Sequence, residues 1–464
     1  MSSSPCQPRE ASQNPPELQR RLRERHLVMI AIGDAIGVGL FLGSSVTLNL
    51  AGPGVILAYA LCAVVGLILA SAVAEMSVVH PVAGSLGLFA ERYINPWAGF
   101  TVRVTYGLLQ IVAVGAEITA AAIYFQYWFP QTPQWLWVAA LSLGIMAVNA
   151  APIKGFGEVE YWFSLLKTAA IVIFIAVGIA LITGLSPRPA IGYANLTAHG
   201  GFLPHGWSGV WLSLTLVLAS YLGIEAIAIS AGEAERPETT IPRAMRRLIL
   251  LLTLLYLSAI CIMATIFPWN QAGDGTVAGS PFVRAFTAVR VPYAASVMNL
   301  VVIVAAVSGA NTLLYLSTRM LFSLARGDYA PAALGKLSAR GVPYRALLVA
   351  SAGMFIAILL SAWVPQEVFL FMYGAAVTGM YLIWAVVLAA HLRFRRSAGS
   401  RSASVKMRLR LFPASNLFAI AILLGVVAST FYVRGLRYSL PIVLAVVIMV
   451  SLSYAAIGRK HGVK

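Results

Sequence analysis

Twelve long apolar runs, separated by short clusters of proline, glycine and charge, dominate the chain. They fall at 28–48, 53–76, 97–128, 135–151, 160–184, 207–231, 248–268, 294–325, 345–363, 367–392, 412–432 and 438–457. A helix crossing a bilayer needs roughly 20 apolar residues. Lipid offers no partner to an open backbone group, so each run is predicted to be a helix. The pattern predicts an all-α membrane protein with twelve transmembrane helices. The loops between the runs are too short for a separate soluble domain.

Composition narrows the class further. Apolar residues make up 59% of the 464 positions and charged residues 11%, where a soluble domain carries about 25% charged residues. A soluble fold, a disordered chain, collagen and a coiled coil are all excluded on these figures. The net charge of +17 would suggest nucleic acid in a soluble protein. In a membrane protein it is read loop by loop, because Lys and Arg collect on the cytoplasmic side. An even number of spans puts both ends on one side. That side carries twenty-five Lys and Arg and the opposite side five, with Arg103, Lys167 and Arg319 inside spans. Both termini are therefore expected in the cytoplasm, with the chain in the cytoplasmic (inner) membrane, in contact with lipid and not with nucleic acid. The first 26 residues are polar and contain no signal-peptide core. The tract 395–410 reads either as a solvated loop that anchors topology or as a site for anionic lipid headgroups. Cys6, Cys62 and Cys261 give no disulfide framework.

Two runs contain residues that a lipid-facing helix would not carry. The first reads IAIGDAIGVGLFLGSS, with Gly33, Asp34, Gly37, Gly39 and Gly43 in its middle. The sixth reads WLSLTLVLASYLGIEAIAISAGE, with Ser220, Gly223 and Glu225 at mid-depth. Small residues there serve tight helix packing, or they mark unwound segments where a ligand meets free backbone groups. The two interruptions are five spans apart. That is the pattern of two five-helix repeats of opposite orientation, 28–184 and 207–392. A tail (1–27), a basic loop (393–411), helices 11 and 12 (412–457) and a second tail (458–464) complete the division.

Asp34, Glu117, Lys167 and Glu225 are the ionisable residues read inside spans, each costly in lipid unless paired or hydrated. Lys167 has no acid within a helical turn. A lysine taken out of water can exchange its proton near neutral pH, and Asp34 is a natural partner across the bundle. No P-loop, HExxH, CxxC pair or GxSxG is present. The six histidines show no metal-ligand spacing. The reading is a non-enzyme with no cofactor and no metal, and no nucleotide-binding domain to drive transport with ATP.

With these residues the chain resembles the amino-acid permeases of the amino-acid/polyamine/organocation superfamily, and within it the bacterial γ-aminobutyrate, proline and aromatic amino-acid permeases. The likeness covers about 20–460. It is carried by IGxxIGxGLFLGSS (32–45), LAGPG (50–54), AEMSVVHPVAGSLGLFAERYINPWAGF (74–100), FGEVEYWFSLLK (156–167), GEAERPETTIPRA (232–244) and STRMLFSLARGDYAPAALGKL (317–337), all in order. It implies a LeuT-like fold of ten core helices plus two, and secondary uptake of an amino acid with a proton. It places the substrate carboxylate at the backbone of Ile36, Gly37, Val38 and Gly39, and the ammonium at carbonyls of Ser220, Tyr221 and Gly223. Tyr221 stands where relatives have Phe, as a gate over the substrate. Lys167 occupies the sodium position of sodium-coupled relatives, and proton coupling falls to Lys167, Asp34, Glu117 and Glu225. Two positions depart from the family. Asp34 replaces a Gly, and Gly107 follows Tyr106 where many relatives have Trp, a change that would enlarge the pocket beside span 3. Symport is the leading reading. Exchange, amine transport, a transport-dead sensor and a channel are the alternatives, with the channel disfavoured because the buried charges form no ring. The sequence sets no oligomeric state.

Overall fold

The computed structural model describes residues 22–461, apart from 42, 83, 152, 186–188, 272–281, 283–292, 328, 339–340, 364–367, 398–406 and 434. Most of the amino-terminal tail, the middle of the 393–411 loop and the last three residues thus lie outside the described residues. The described chain is helical, and its one strand-like feature is an isolated bridge between Leu22 and Ala234.

The run 28–48 is not one helix. It is α1 (Glu24–Ala35), α2 (Val38–Phe41) and α3 (Gly43–Ala51). A Gly-Pro-Gly turn leads into α4 (Val55–Val79), and the short α5 (Ser85–Tyr93) precedes α6 (Pro96–Phe125). The start of α6 is set by Pro96 at its first position and by Asn95, whose side chain accepts from the Ala98 N–H at 2.8 Å. Next come α7 (Gln134–Asn149) and α8 (Ile153–Thr183). The sixth run is also divided, into α9 (Gly206–Val217), a tight turn at Leu218–Tyr221, and α10 (Ile224–Ile229). The second half of the chain continues with α11 (Pro237–Ile266), α12 (Ala294–Arg326), α13 (Tyr344–Ala350), α14 (Ala352–Trp363), α15 (Val368–Ser397), α16 (Ala414–Ser429) and α17 (Ser439–His461).

Among the described residues ten helices are long and apolar enough to cross a membrane, and α7 is a shorter apolar helix. The divided first run supplies none of the ten by itself. Burial separates centre from rim. In Gly206–Ile229, 89% of the most apolar stretch is buried in the protein, against 17% for Ser439–Ala456. The broken sixth run is thus innermost, and α17 turns Leu444, Ile448, Met449 and Leu452 outward. Around the centre α6 packs along α12 and α15, α4 along α11, and α1 against α8, α11 and α12.

At one end of the bundle the start of α1 is tied to the segment after α10. The Leu22 N–H donates to the Glu233 carbonyl at 2.9 Å, and the Glu235 N–H to the Leu22 carbonyl at 3.0 Å. Arg23 pairs with Glu235 at 3.3 Å and Arg247 with Glu24 at 2.8 Å. At the same end of the sequence pattern Glu75, fully buried at the end of α4, accepts from Arg395 at 2.8 and 2.5 Å and from the Leu409 N–H. The basic loop is therefore pinned back onto the bundle at both of its described ends.

Helices α6 and α14 cross with their backbones in contact. A Cβ on Gly115 would lie 2.6 Å from the Gly353 carbonyl oxygen, and one on Gly353 would run into the Ile111 carbonyl. Gly353→Val should lower the melting temperature of the detergent-solubilised protein by about 5 °C or more, an overpacking effect. Gly144→Ala, with nothing within 4 Å of its new methyl group, should leave it unchanged in the same measurement.

Candidate functional site

The two divided runs break where the chain has no regular option. The first loses its helix at Ile36 and Gly37, and α2 resumes at Val38. The sixth passes through Leu222, which is extended, and Gly223, whose φ of 107° suits glycine alone. The breaks face each other. A Cβ on Gly223 would lie 2.6 Å from the Ala31 carbonyl, 2.9 Å from the Ala35 nitrogen and 3.1 Å from the Asp34 Cβ. A Cβ on Gly39 would lie 3.8 Å from the Ser220 nitrogen and 2.6 Å from the Tyr373 hydroxyl.

Breaking α1 frees carbonyls that an unbroken helix would bond to N–H groups four residues on. Buried donors reach them. Lys167 Nζ donates to the Gly33 carbonyl at 2.7 Å and to the Ile36 carbonyl at 3.0 Å. The Tyr256 hydroxyl donates to the Ala35 carbonyl at 2.9 Å. Lys167 is fully buried, so its ammonium is solvated by the carbonyls of α1 in place of water. The pairing of Asp34 with Lys167 that the sequence offered is not formed: the ammonium is held by the backbone on either side of Asp34.

A small cavity of about 40 Å³ lies between the breaks, with room for a water or two but not for an amino acid. Asp34, Gly37, Gly39, Glu117 and Glu225 line it, with Gln110 and Tyr373. Glu117 is close to both broken and unbroken backbone: its carboxylate lies 2.9 Å from where a Cβ on Gly37 would sit and 3.1 Å from one on Gly309. Five of the sequence-derived acids and glycines are thus brought to one space. Ser220 and Tyr221 are not among its lining. The Ser220 hydroxyl is 3.5 Å from that of Tyr59, and the Tyr221 hydroxyl donates to the Tyr59 carbonyl at 3.2 Å. The Tyr221 ring meets Tyr256 edge-on at 5.4 Å. Tyr221 therefore points into a tyrosine cluster with α4 and α11, and the tyrosine in the cavity lining is Tyr373. Gly107 also stands apart: a Cβ there would meet only Met320 and Leu321.

The structure adds acids that the sequence reading passed over because they sit at the ends of apolar runs. Glu160 is fully buried. It accepts from Ser308, from Asn311 at 3.1 Å and from Ser164 at 3.3 Å, and a Cβ on Gly33 would strike it. The signal was legible in EYWFSLLK. Glu160, Ser164 and Lys167 are spaced along one helix face, so Lys167 has an acid two turns away. Glu233, just after α10, pairs with the buried Arg319 at 3.2 Å and accepts from Tyr315 at 3.1 Å. Burial pushes the Glu233 carboxyl up, and Arg319 opposes that rise.

The profile of the family described as Amino acid permease matches residues 26–461. The chain is 38% identical over 414 residues to the uncharacterized amino acid permease YtnA of Bacillus subtilis (strain 168), covering 89% of each chain. It is 36% identical over 446 residues to the probable threonine/serine transporter YbxG of the same organism, covering 95% of this chain and 96% of that one. With that organism's gamma-aminobutyric acid permease it shares 34% over 445 residues, covering 96% and 94%. The chain belongs to the amino acid permease family. It is an integral membrane protein of that family, with the two breaks and the buried lysine at its centre.

Gly39→Val would press a side chain against the Tyr373 hydroxyl and the 219–220 backbone. Binding of small, aromatic and cationic amino acids should weaken together, by about tenfold or more, in scintillation proximity assays on purified protein. Unchanged affinity would mean that this break serves packing alone.

Proposed function

We propose that the protein is a secondary active transporter that imports an amino acid across the cytoplasmic membrane by proton symport. The observation that carries this reading is the Lys167 ammonium on the Gly33 and Ile36 carbonyls. A charged lysine holds the broken end of α1 in place. A neutral lysine keeps fewer donors and loses the ion–dipole attraction, so loading and releasing a proton changes how firmly α1 is held. The proton is thereby linked to the position of one wall of the site. The substrate carboxylate fits the N–H groups of Gly37, Val38 and Gly39, and its ammonium fits carbonyls near Ser220 and Gly223, as at the broken helices of transporters. The small cavity fits one stage of alternating access, in which the site opens to one side at a time.

The same reading takes the chain as twelve spans. The divided α1–α3 is the first span and α7 the fourth, and together with the ten long helices they give two inverted five-helix repeats, 28–184 and 207–392, plus two. The breaks in the first and sixth spans occupy matching places in such repeats. The bias of Lys and Arg puts both termini in the cytoplasm.

Lys167→Met should abolish the acceleration of labelled amino-acid uptake by an inwardly directed pH gradient in proteoliposomes, while the melting temperature stays within a few degrees. Normal acid-driven uptake in that variant would remove Lys167 from coupling.

Glu117 contributes to the proton side of the cycle. Glu117→Gln should lower the maximal rate about tenfold or more and change apparent affinity far less. The rank order of competing amino acids should stay as it is. Selective loss of cationic competitors would instead make Glu117 a reader of the substrate.

A further inference from the structure

The cavity between the breaks holds more carboxyl groups than transport of a neutral amino acid uses. Asp34, Glu117 and Glu225 line it, and no Lys, Arg or His does. Lys167 does not supply the missing cation, since its ammonium is bonded to α1 carbonyls and is not part of the lining. Glu225 is 1% exposed, and its Oε2 has no hydrogen-bond partner. The Oδ2 of Asp34 has none either. Buried carboxylate oxygens without a partner are costly until a donor or a cation reaches them. A metal ion is not that cation, because among the described residues no three acidic, His or Cys groups are placed to hold one.

The charges can be matched one by one. The α-ammonium of a bound amino acid, seated at the carbonyls before Gly223, faces Glu225 two residues on. The transported proton neutralises Glu117. The α-carboxylate is taken by backbone N–H groups and changes nothing in the lining. Asp34 is left over. It stands on the last turn of α1, with its Cβ 3.1 Å from where a side chain on Gly223 would begin. It therefore borders both breaks, and a substrate seated in this way would extend its side chain toward it.

We propose that the substrate carries a second cationic group, as a dibasic amino acid does, and that Asp34 receives its side-chain ammonium or guanidinium. This rests on the amino-acid transport reading above. Asp34 is then the residue that sets selectivity, through a charge-assisted hydrogen bond.

Lysine and norleucine test this, because they share one carbon skeleton and differ by the terminal ammonium. In proteoliposomes under a fixed pH gradient, the protein should take up lysine and ornithine in preference to norleucine by about tenfold or more. Asp34→Asn should collapse that margin, and Asp34→Glu should restore most of it. If norleucine, leucine or threonine is carried as well as lysine or better, the dibasic class is wrong while amino-acid transport stands. If Asp34→Asn keeps the full margin, Asp34 is not the reader. If no amino acid is bound or carried, the transport reading itself fails. Should Asp34→Asn not fold, the lysine-to-norleucine ratio of the unaltered protein still decides the substrate class.

Discussion

A buried ammonium and a broken helix each carry a debt that lipid cannot settle, and in this protein each settles the other's. Lys167 has no water around it, and Gly33 and Ile36 have carbonyls without helical partners. Bringing them together satisfies both. The arrangement fixes the distance between α8 and α1 and so sets where the cavity wall stands. It also explains why the break is stable in an apolar surrounding, where an unpaired carbonyl would otherwise pull the helix straight. Tyr256 does the same for Ala35, from α11. The far end of α1 is therefore held from two sides by donors, with its N–H side left toward α2.

A second polar layer stiffens the first. Glu160 collects donors from α12 and from its own helix, and Ser164 also donates to the Met29 carbonyl at 2.9 Å. Asn149 extends the chain by donating to Asn311 at 2.7 Å. The face of α8 toward the centre is thus polar for over two turns, while the helix elsewhere shows lipid Trp162, Val172 and Ile173. Networks of this kind persist only when their members are satisfied, because a half-bonded carboxylate in a dry core is costly. Lys167 is consequently part of a layer and not an isolated charge.

Much of this was legible in the sequence. The glycines around Asp34 and the Ser-Tyr-Leu-Gly stretch before Glu225 mark both breaks, because no stable helix in lipid carries such residues without cause. Lys167 announced itself by its apolar surroundings. The directions of side chains were not legible. Tyr221 follows the turn at 218–221 into the tyrosine cluster, and one residue of turn geometry decides that. Asp34 is adjacent to carbonyls that Lys167 bonds, and charge complementarity alone could not tell whether the two side chains would pair. Glu75 and Glu160 went unassigned because an acid at the edge of an apolar run looks like a flank, whereas α8 begins at Ile153 and buries Glu160 within it.

The bridge between Leu22 and Ala234 has a mechanical meaning. The start of α1 and the segment that follows α10 are joined by two backbone hydrogen bonds and by the ion pair of Arg23 with Glu235, while Arg247 ties α1 to α11. The joined segments lie on the same side of their breaks. A motion at one break therefore pulls on the other, as two oars fixed to one crossbar must swing together. Moving α1 alone would first have to break the two backbone hydrogen bonds at Leu22, so in the proposed transport cycle α1 and α10 would swing as one body.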